Sequence, residues 1–383
     1  MLAIGIMSGT SLDGVDCALV EIDNNKFELI KFVTLDYSLE FKNKLAKNLN
    51  NDTAKLADIS SLNFEISDWF NKAIDKLLLN TNYKYSDISF IASHGQTIWH
   101  DPKGEYGRAS TLQIGEASVI TNHTGITVIN NFRAADVAAA GEGAPLVPKS
   151  EYLIYSRLNK NIILQNIGGI GNLTYIKKGA KLDEVFAFDT GPGNCMIDFF
   201  TKRYFNKPFD ENGNIAKSGK IIDKVLDYLK TDSYLLIDPP KSTGRERYSE
   251  SFMLDLENKL NFSEYKKEDI IKTITYYTAY SIYYHYKKYI IDKGFDIDLV
   301  VLGGGGSHNQ YIKETLSNLL NKEVLTQEDL GYDSDSKEAM AFAILGYLTL
   351  NKECGNVISV TGASKEVILG DVHYGGKDEH WFK

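Results

Sequence analysis

Met7-Ser8-Gly9-Thr10-Ser11-Leu12-Asp13-Gly14-Val15-Asp16 joins two apolar runs, Ile4–Met7 and Val15–Ile22, and a third, Phe27–Leu35, follows after a short polar turn. Alternating apolar runs separated by Gly, Asp and Asn predict an antiparallel meander. Within the turn, Gly9 and Gly14 permit positive φ and a close approach of backbone N–H groups to an anion, and the Thr10 and Ser11 hydroxyls can donate to phosphate oxygens. Asp13 and Asp16 are candidate Mg²⁺ holders, through water because Mg²⁺ keeps much of its hydration shell. A plain hairpin turn explains the same residues, since Asp-Gly is a strong hairpin signal. The stretch is not a Walker A loop, for it lacks the Gly-Lys-Ser/Thr ending and the strand–loop–helix setting.

Working outward, the spacing turns helical from about 39 to 79, with Leu56, Ile59, Leu62, Ile66 and Phe70 on one stripe. A strand is predicted over 89–92, ending at Ser93-His94-Gly95-Gln96-Thr97, then strands over 111–114 and 127–129 with a short helix between. The second half repeats the alternation. A hairpin over 162–176 turns through Gly168-Gly169-Ile170-Gly171, and a strand over 185–188 breaks at Asp189-Thr190-Gly191-Pro192-Gly193-Asn194 into a helix. A tyrosine-rich helix is predicted over 267–292, a strand over 299–302 leading into Gly303-Gly304-Gly305-Gly306, and a helix over 334–350. Each half opens with strands, carries a glycine turn at a strand end and then adds helices. That recurrence predicts two related mixed α/β domains, 1–131 and 132–383, facing a cleft.

Size agrees with this division, because 383 residues suit two domains of roughly 150–200 residues. A net charge of −9 argues against a nucleic-acid partner, whose phosphates a binder must neutralise. No run approaches the ~18–20 apolar residues that cross a bilayer, and the apolar start lacks the basic flank of a signal peptide. Three scattered cysteines in no metal-like spacing fit a reducing compartment, so a cytoplasmic location is expected.

Several further motifs have the residue types of a cleft. Asp189 is delivered by a strand, and the glycine turn after it opens a helix whose N-terminus can hold phosphate; an N-cap aspartate is the simpler explanation. Four consecutive glycines at 303–306 cost heavily in conformational entropy, which points to close approach of a flat ligand, with a plain linker as the alternative. His94 sits among small polar groups. Arg133 is one of only six arginines, and can bind a carboxylate through two parallel hydrogen bonds; otherwise it pairs with something like Asp136. Lys241 and Arg245, in Pro239-Pro240-Lys241-Ser242-Thr243-Gly244-Arg245-Glu246, are two candidate anion binders. Glu338 opens a helix, where a first-turn Glu also suits the helix dipole.

In this order and spacing the motifs resemble those of the anhydro-N-acetylmuramic acid kinase family over essentially the whole chain. Further matching segments are Gln113-Ile114-Gly115-Glu116, Asn131-Phe132-Arg133-Ala134-Ala135-Asp136, Gly141-Glu142-Gly143-Ala144-Pro145-Leu146-Val147-Pro148 and Asn166-Ile167-Gly168-Gly169-Ile170-Gly171-Asn172. The resemblance implies an α/β two-domain actin/hexokinase/Hsp70-like (ribonuclease H-like) ATPase fold with an interdomain cleft. It implies ATP and Mg²⁺ as cofactors and a small-molecule anhydrosugar as substrate, and leaves room for a homodimer. It makes Asp189 the base and puts ATP on Gly9, Thr10, Ser11, Leu12, Asp13, Gly14, Val15, Asp16, Gly168, Gly169, Gly191, Gly193, Asn194, Gly303, Gly304 and Gly305. The sugar falls to His94, Arg133 and Glu338. Arg247-Tyr248-Ser249 departs from the family's pattern, in which an aromatic followed by Asn is more usual. A kinase for a carboxylate-free anhydrosugar such as levoglucosan, and an actin- or Hsp70-like nucleotide switch, are the competing readings.

Overall fold

A computed structural model of the chain describes residues 1–376 apart from 10, 11, 25, 240, 242, 245, 246 and 331–335. Two compact units form: Met1–Arg157 with Asp335–Lys383 is unit 1, and Leu158–Ser334 is unit 2.

In unit 1, β1 (Leu2–Ser8), β2 (Gly14–Asp23) and β3 (Lys26–Asp36) form the expected antiparallel meander. Next come β4 (Ile88–Asp101), β5 (Ser110–Ile114) and β6 (Val128–Asn130). The sheet runs β3-β2-β1-β4-β6, with β4 parallel to β1 and β6 parallel to β4, while β5 pairs with the far end of β4. Helix Leu56–Leu78 covers one face because Leu62, Ile66, Phe70, Ile74 and Leu77 recur at helical spacing and are fully buried. Burial of each such side chain contributes about 1.5–3 kcal/mol.

Unit 2 repeats the plan. Its strands β7 (Ile162–Ile167), β8 (Ile170–Ile176), β9 (Phe186–Pro192), β10 (Leu299–Gly303) and β11 (Val324–Thr326) are ordered β9-β8-β7-β10-β11. The first three are again an antiparallel meander, and β10 and β11 again run parallel to β7 and to each other. The same order and the same senses in both units are the duplicated α/β plan that the recurrence of glycine turns predicts. Helix Lys267–Tyr289 buries Ile270, Ile274, Tyr277 and Tyr286 against this sheet's core.

After unit 2 the chain returns to unit 1. Helix Lys337–Leu350 packs on β1 and β4, and β12 (Asp371–His373) pairs antiparallel with β6. Gly5 makes the helix contact: a Cβ there would overlap the Ala339 carbonyl oxygen. The predicted junction at 131/132 therefore falls inside unit 1. Residues 132–157 and the returning segment pack with the first sheet, a non-local pairing that local patterns do not reveal.

Two predicted strand ends differ from the structure. β4 does not stop at Ala92 but continues through His94 to Asp101, changing partner from β1 to β5. β9 likewise runs through Asp189 to Pro192, with Asn172 opposite Asp189. In both places an antiparallel partner, β5 for β4 and β8 for β9, satisfies the backbone where the small polar residues suggest a loop.

Candidate active site

The first turn is a hairpin, with Met7 opposite Asp16 and a Leu12 N–H to Gly9 carbonyl bond of 3.2 Å. Leu12 is buried yet holds φ at 59°, a left-handed conformation unusual for a bulky residue and a mark of a constrained turn. Its side chain and that of Val15 belong to the core, so only their backbone groups are available to a ligand. Gly14 is needed by the sheet, because a Cβ there would overlap the Leu35 carbonyl. Asp13 is exposed and meets Lys42 at 3.2 Å. Asp16 accepts from the Thr34 hydroxyl at 2.6 Å. Thr10 and Ser11 lie outside the described residues.

His94, Arg133 and Glu338 come together in unit 1. His94 is buried, with Nδ1 2.8 Å from the Gly95 carbonyl oxygen. A carbonyl only accepts, so Nδ1 carries the proton and Nε2 accepts from Arg133 Nε at 2.9 Å. Arg133 Nη1 donates to the Gly143 carbonyl at 2.9 Å. Both partners are neutral, and among the described residues Glu338, exposed on the first turn of its helix, is the carboxylate that acts on Arg133 electrostatically. Phe342, one turn further along that helix, packs its ring 4.7 Å from His94.

Asp136 does not pair with Arg133. Fully buried, it accepts from the Gly143 amide, Asn356 Nδ2 and Thr361 Oγ1, each at 2.8 Å. These bonds tie the 141–143 loop to the returning C-terminal segment, and that loop supplies the carbonyl that orients Arg133. Lys337 pairs with buried Glu151 at 2.5 Å, anchoring the helix that carries Glu338.

Burial, with Arg133 adding to it, brings the His94 pKa down to about 3, so the ring stays neutral near pH 7. An unfolded histidine takes up its proton near 6.5, so the unfolded state binds more protons below that pH. Stability is therefore expected to fall as pH drops from about 6.5 towards 3. Urea midpoints should be lower at pH 5 than at pH 7, and His94→Asn should lessen the difference without removing it, because burial depresses His285 in the same way. An unchanged slope in that variant would refute the assignment.

In unit 2 the remaining glycine motifs converge. The Gly168 carbonyl accepts from Asn194 N–H at 2.7 Å, and the Gly169 carbonyl accepts from the Gly193 and Cys195 amides at 3.0 and 3.1 Å. These amides, at the start of helix Cys195–Phe205, are therefore engaged within the protein. Asn194 Nδ2 donates to the Ile167 carbonyl at 3.2 Å. Gly304 crosses the same corner at φ 75°, where a Cβ would sit 2.6 Å from Asn166 Oδ1. Gly191, at φ 107°, leaves room for Ser281, whose Oγ would be 2.7 Å from a Cβ.

Beside this corner lies a cavity of about 400 Å³ lined by Asn194, Asp198, Phe209, Asn212, Gly305 and His308 among others. Its far wall, 209–212, went unread in the sequence. The available signal was Asn212-Gly213, a turn dipeptide whose two residues both adopt positive φ here. At Gly303 a Cβ would sit 2.8 Å from Gln327 Oε1.

Asp189 is half-buried on β9, and its Oδ2 accepts the Thr243 amide at 2.8 Å. The Asp189 N–H donates to the Lys241 carbonyl at 3.3 Å, and its own carbonyl accepts the Tyr234 hydroxyl at 2.9 Å. Lys241 is not an outward anion binder: its ammonium turns inward to His285 and the Tyr234 carbonyl. Arg245 lies outside the described residues. The unusual Arg247-Tyr248 pair has a structural partner. Both donate to Asp232, Arg247 at 2.6 Å and Tyr248 at 2.8 Å, and Tyr277 adds a third bond at 3.1 Å. Burial works to raise the Asp232 pKa, but Arg247 and these hydrogen bonds outweigh it and hold the carboxyl below its usual value.

Among the described residues no group of three or more His, Cys, Asp or Glu gathers as around a metal held wholly by protein. No described helix is long and apolar enough to cross a membrane.

Comparison with known proteins bears directly on these clusters. The family model described as anhydro-N-acetylmuramic acid kinase matches residues 1–375. A protein of that name from Clostridioides difficile strain 630 is 48% identical over 390 residues, covering 98% of this chain and 100% of its own. Another from Bacillus cereus strain ATCC 14579 is 46% identical over 382 residues, covering 98% and 97%. Among solved structures, a ligand-bound xylulose kinase from Lactobacillus acidophilus is similar at 12% identity and a TM-score of 0.46, over 96% of this chain and 94% of that one. With a family match that runs through every motif of both clusters, and relatives near half-identical from end to end, this chain belongs to the anhydro-N-acetylmuramic acid kinase family.

Proposed function

We propose that the protein uses ATP and water to open the 1,6-anhydro ring of anhydro-N-acetylmuramate and phosphorylate O6, giving N-acetylmuramate 6-phosphate and ADP, a step of cell-wall sugar recycling in the cytoplasm. The family match over residues 1–375 supports this reading most strongly. Within the site, its support is Asp189, a carboxylate oriented on a strand by the Thr243 amide beside the converging glycine turns.

Asp189 takes a proton from water, and the oxygen so released attacks C1. The C1–O6 bond breaks, and O6 takes the γ-phosphoryl group as ADP leaves. As in inverting glycoside hydrolysis, a carboxylate is needed on the face opposite the leaving oxygen. The phosphoryl group does for O6 what a proton does in a hydrolase, so no second acid is required. The unit 2 corner and its cavity hold the nucleotide, with the first turn contributing backbone donors.

Mg²⁺ binds nucleotides through one or two carboxylates, water and the phosphates, and Asp13 and Asp16 beside the first turn are the carboxylates that would hold it. When bound it would neutralise phosphate charge during transfer.

Arg133 receives the lactyl carboxylate of the muramic acid, since its guanidinium is pre-oriented by two neutral acceptors. A charge-assisted bond of this kind contributes roughly 1.5–3 kcal/mol. Arg133→Met should therefore raise KM for anhydro-N-acetylmuramate about 10–100-fold, with little effect on a carboxylate-free anhydrosugar. An equal rise for both sugars would remove the carboxylate role. The reading as a whole is tested by ADP release with and without anhydro-N-acetylmuramate. Slow hydrolysis indifferent to the sugar would overturn it in favour of a nucleotide switch.

A further inference from the structure

The reaction leaves Lys241, a half-buried cation, without a part. Lys241 Nζ lies 2.6 Å from His285 Nε2 and 3.0 Å from the Tyr234 carbonyl oxygen. It also sits 4.4 Å from the centroid of the Tyr234 ring and 5.8 Å from those of Phe188 and Tyr289. His285 is fully buried on helix Lys267–Tyr289, and its Nδ1 is 2.6 Å from the Ser281 carbonyl oxygen. That carbonyl can only accept, so Nδ1 donates and Nε2 accepts from the ammonium.

The contacts close on the base. Ser281 Oγ donates to the Thr190 carbonyl, and Thr278 Oγ1 donates to the Gly193 carbonyl at 3.1 Å. The helix thus grips β9 on the C-terminal side of Asp189. Lys241 supplies the carbonyl that receives the Asp189 amide, and Thr243, two residues on, supplies the amide that holds Oδ2. The Lys241–His285 bond joins that segment to the same helix. Burial, with Lys288 adding to it, brings the Lys241 pKa down to about 8, so retaining the charge here is costly. A buried ionic group is weak evidence for stability, because an apolar side chain of similar volume is often as good or better. An ammonium kept among three rings points to geometry as its purpose.

We infer that the Lys241–His285 pair is a strut that sets the position of Asp189, making both positioning residues for the base. The inference rests on Asp189 being that base. It is tested with Lys241→Met, His285→Phe, the double variant and His285→Gln, with Asp189→Asn measured in parallel. Sugar-dependent ADP release and melting temperature are the readouts. Lys241→Met should lower kcat about 10–100-fold, the scale of a small misplacement of a reacting group. KM for both substrates should stay within about threefold. His285→Phe should do the same, the double variant should be no worse than the poorer single one, and His285→Gln, which keeps an acceptor, should recover part of the loss.

A folded Lys241→Met with kcat within about twofold of the parent, or single effects that multiply in the double variant, would overturn the strut. So would failure of both Lys241→Met and His285→Gln to fold, which would assign the pair to stability. Turnover in Asp189→Asn would remove the base assignment and this inference together. An inactive Asp189→Asn beside an unimpaired Lys241→Met would remove the inference alone.

Discussion

Asp189→Asn is expected to lower sugar-dependent turnover by at least ~10³-fold, within the range that a positioned general base supplies, while nucleotide affinity changes less than about threefold. Asparagine keeps an oxygen that can accept the Thr243 amide, and the backbone bonds to Lys241 and Tyr234 do not involve the side chain. The strand and the turn after it should therefore survive, and only the basicity is lost. Titration with a non-hydrolysable ATP analogue checks the binding half, and coupled ADP release checks the turnover half. Activity within tenfold of the parent would mean that another group takes the proton. Lost nucleotide binding would mean that the substitution had damaged the turn.

Asp136→Ala should cost about 3 kcal/mol of stability. The carboxylate is fully buried and accepts three hydrogen bonds. Asn356 and Thr361 have second acceptors in the Lys365 and Val357 carbonyls, at 3.1 and 3.4 Å. The Gly143 amide would be left without a partner in a dry site. The loop it belongs to supplies the carbonyl that orients Arg133, so KM for the sugar should rise together with the loss of stability. Urea unfolding and sugar titration measure the two effects. A midpoint close to that of the parent would show that the loop is held by other contacts.

Much of the fold was legible because its signals are local. The meander β1–β3 and the hairpin β7–β8 follow from alternation and turn residues, and the helix Leu56–Leu78 from a stripe of which Leu62, Ile66 and Phe70 are fully buried while Leu56 is exposed. The strand ends at His94 and Asp189 were misread, because small polar residues look like loop until a partner strand accounts for their hydrogen bonds. The same limit hid the return of the chain to unit 1. Nothing near Asp371 signals that it pairs with Asn130, since strand partners distant in sequence share no local pattern. The inward turn of Lys241 was equally hidden, for the aromatic faces that receive it come from three separate segments.

By itself the sequence determined the α/β class, the duplicated plan and the family, because each rests on periodicity or on motifs carried along the chain. It could not say what Asp136, Lys241 and Arg247 do. Those answers depended on which donors and acceptors remain once the backbone has paired, a quantity that exists only in the folded chain. The tertiary structure showed that the 168–169 carbonyls engage the amides of the helix after Asp189, that Asp136 serves the Gly143 loop, and that the first turn is a hairpin with a buried left-handed leucine at its centre. Burial is the physical reason, since it leaves each polar group one or two partners where the linear chain offers many.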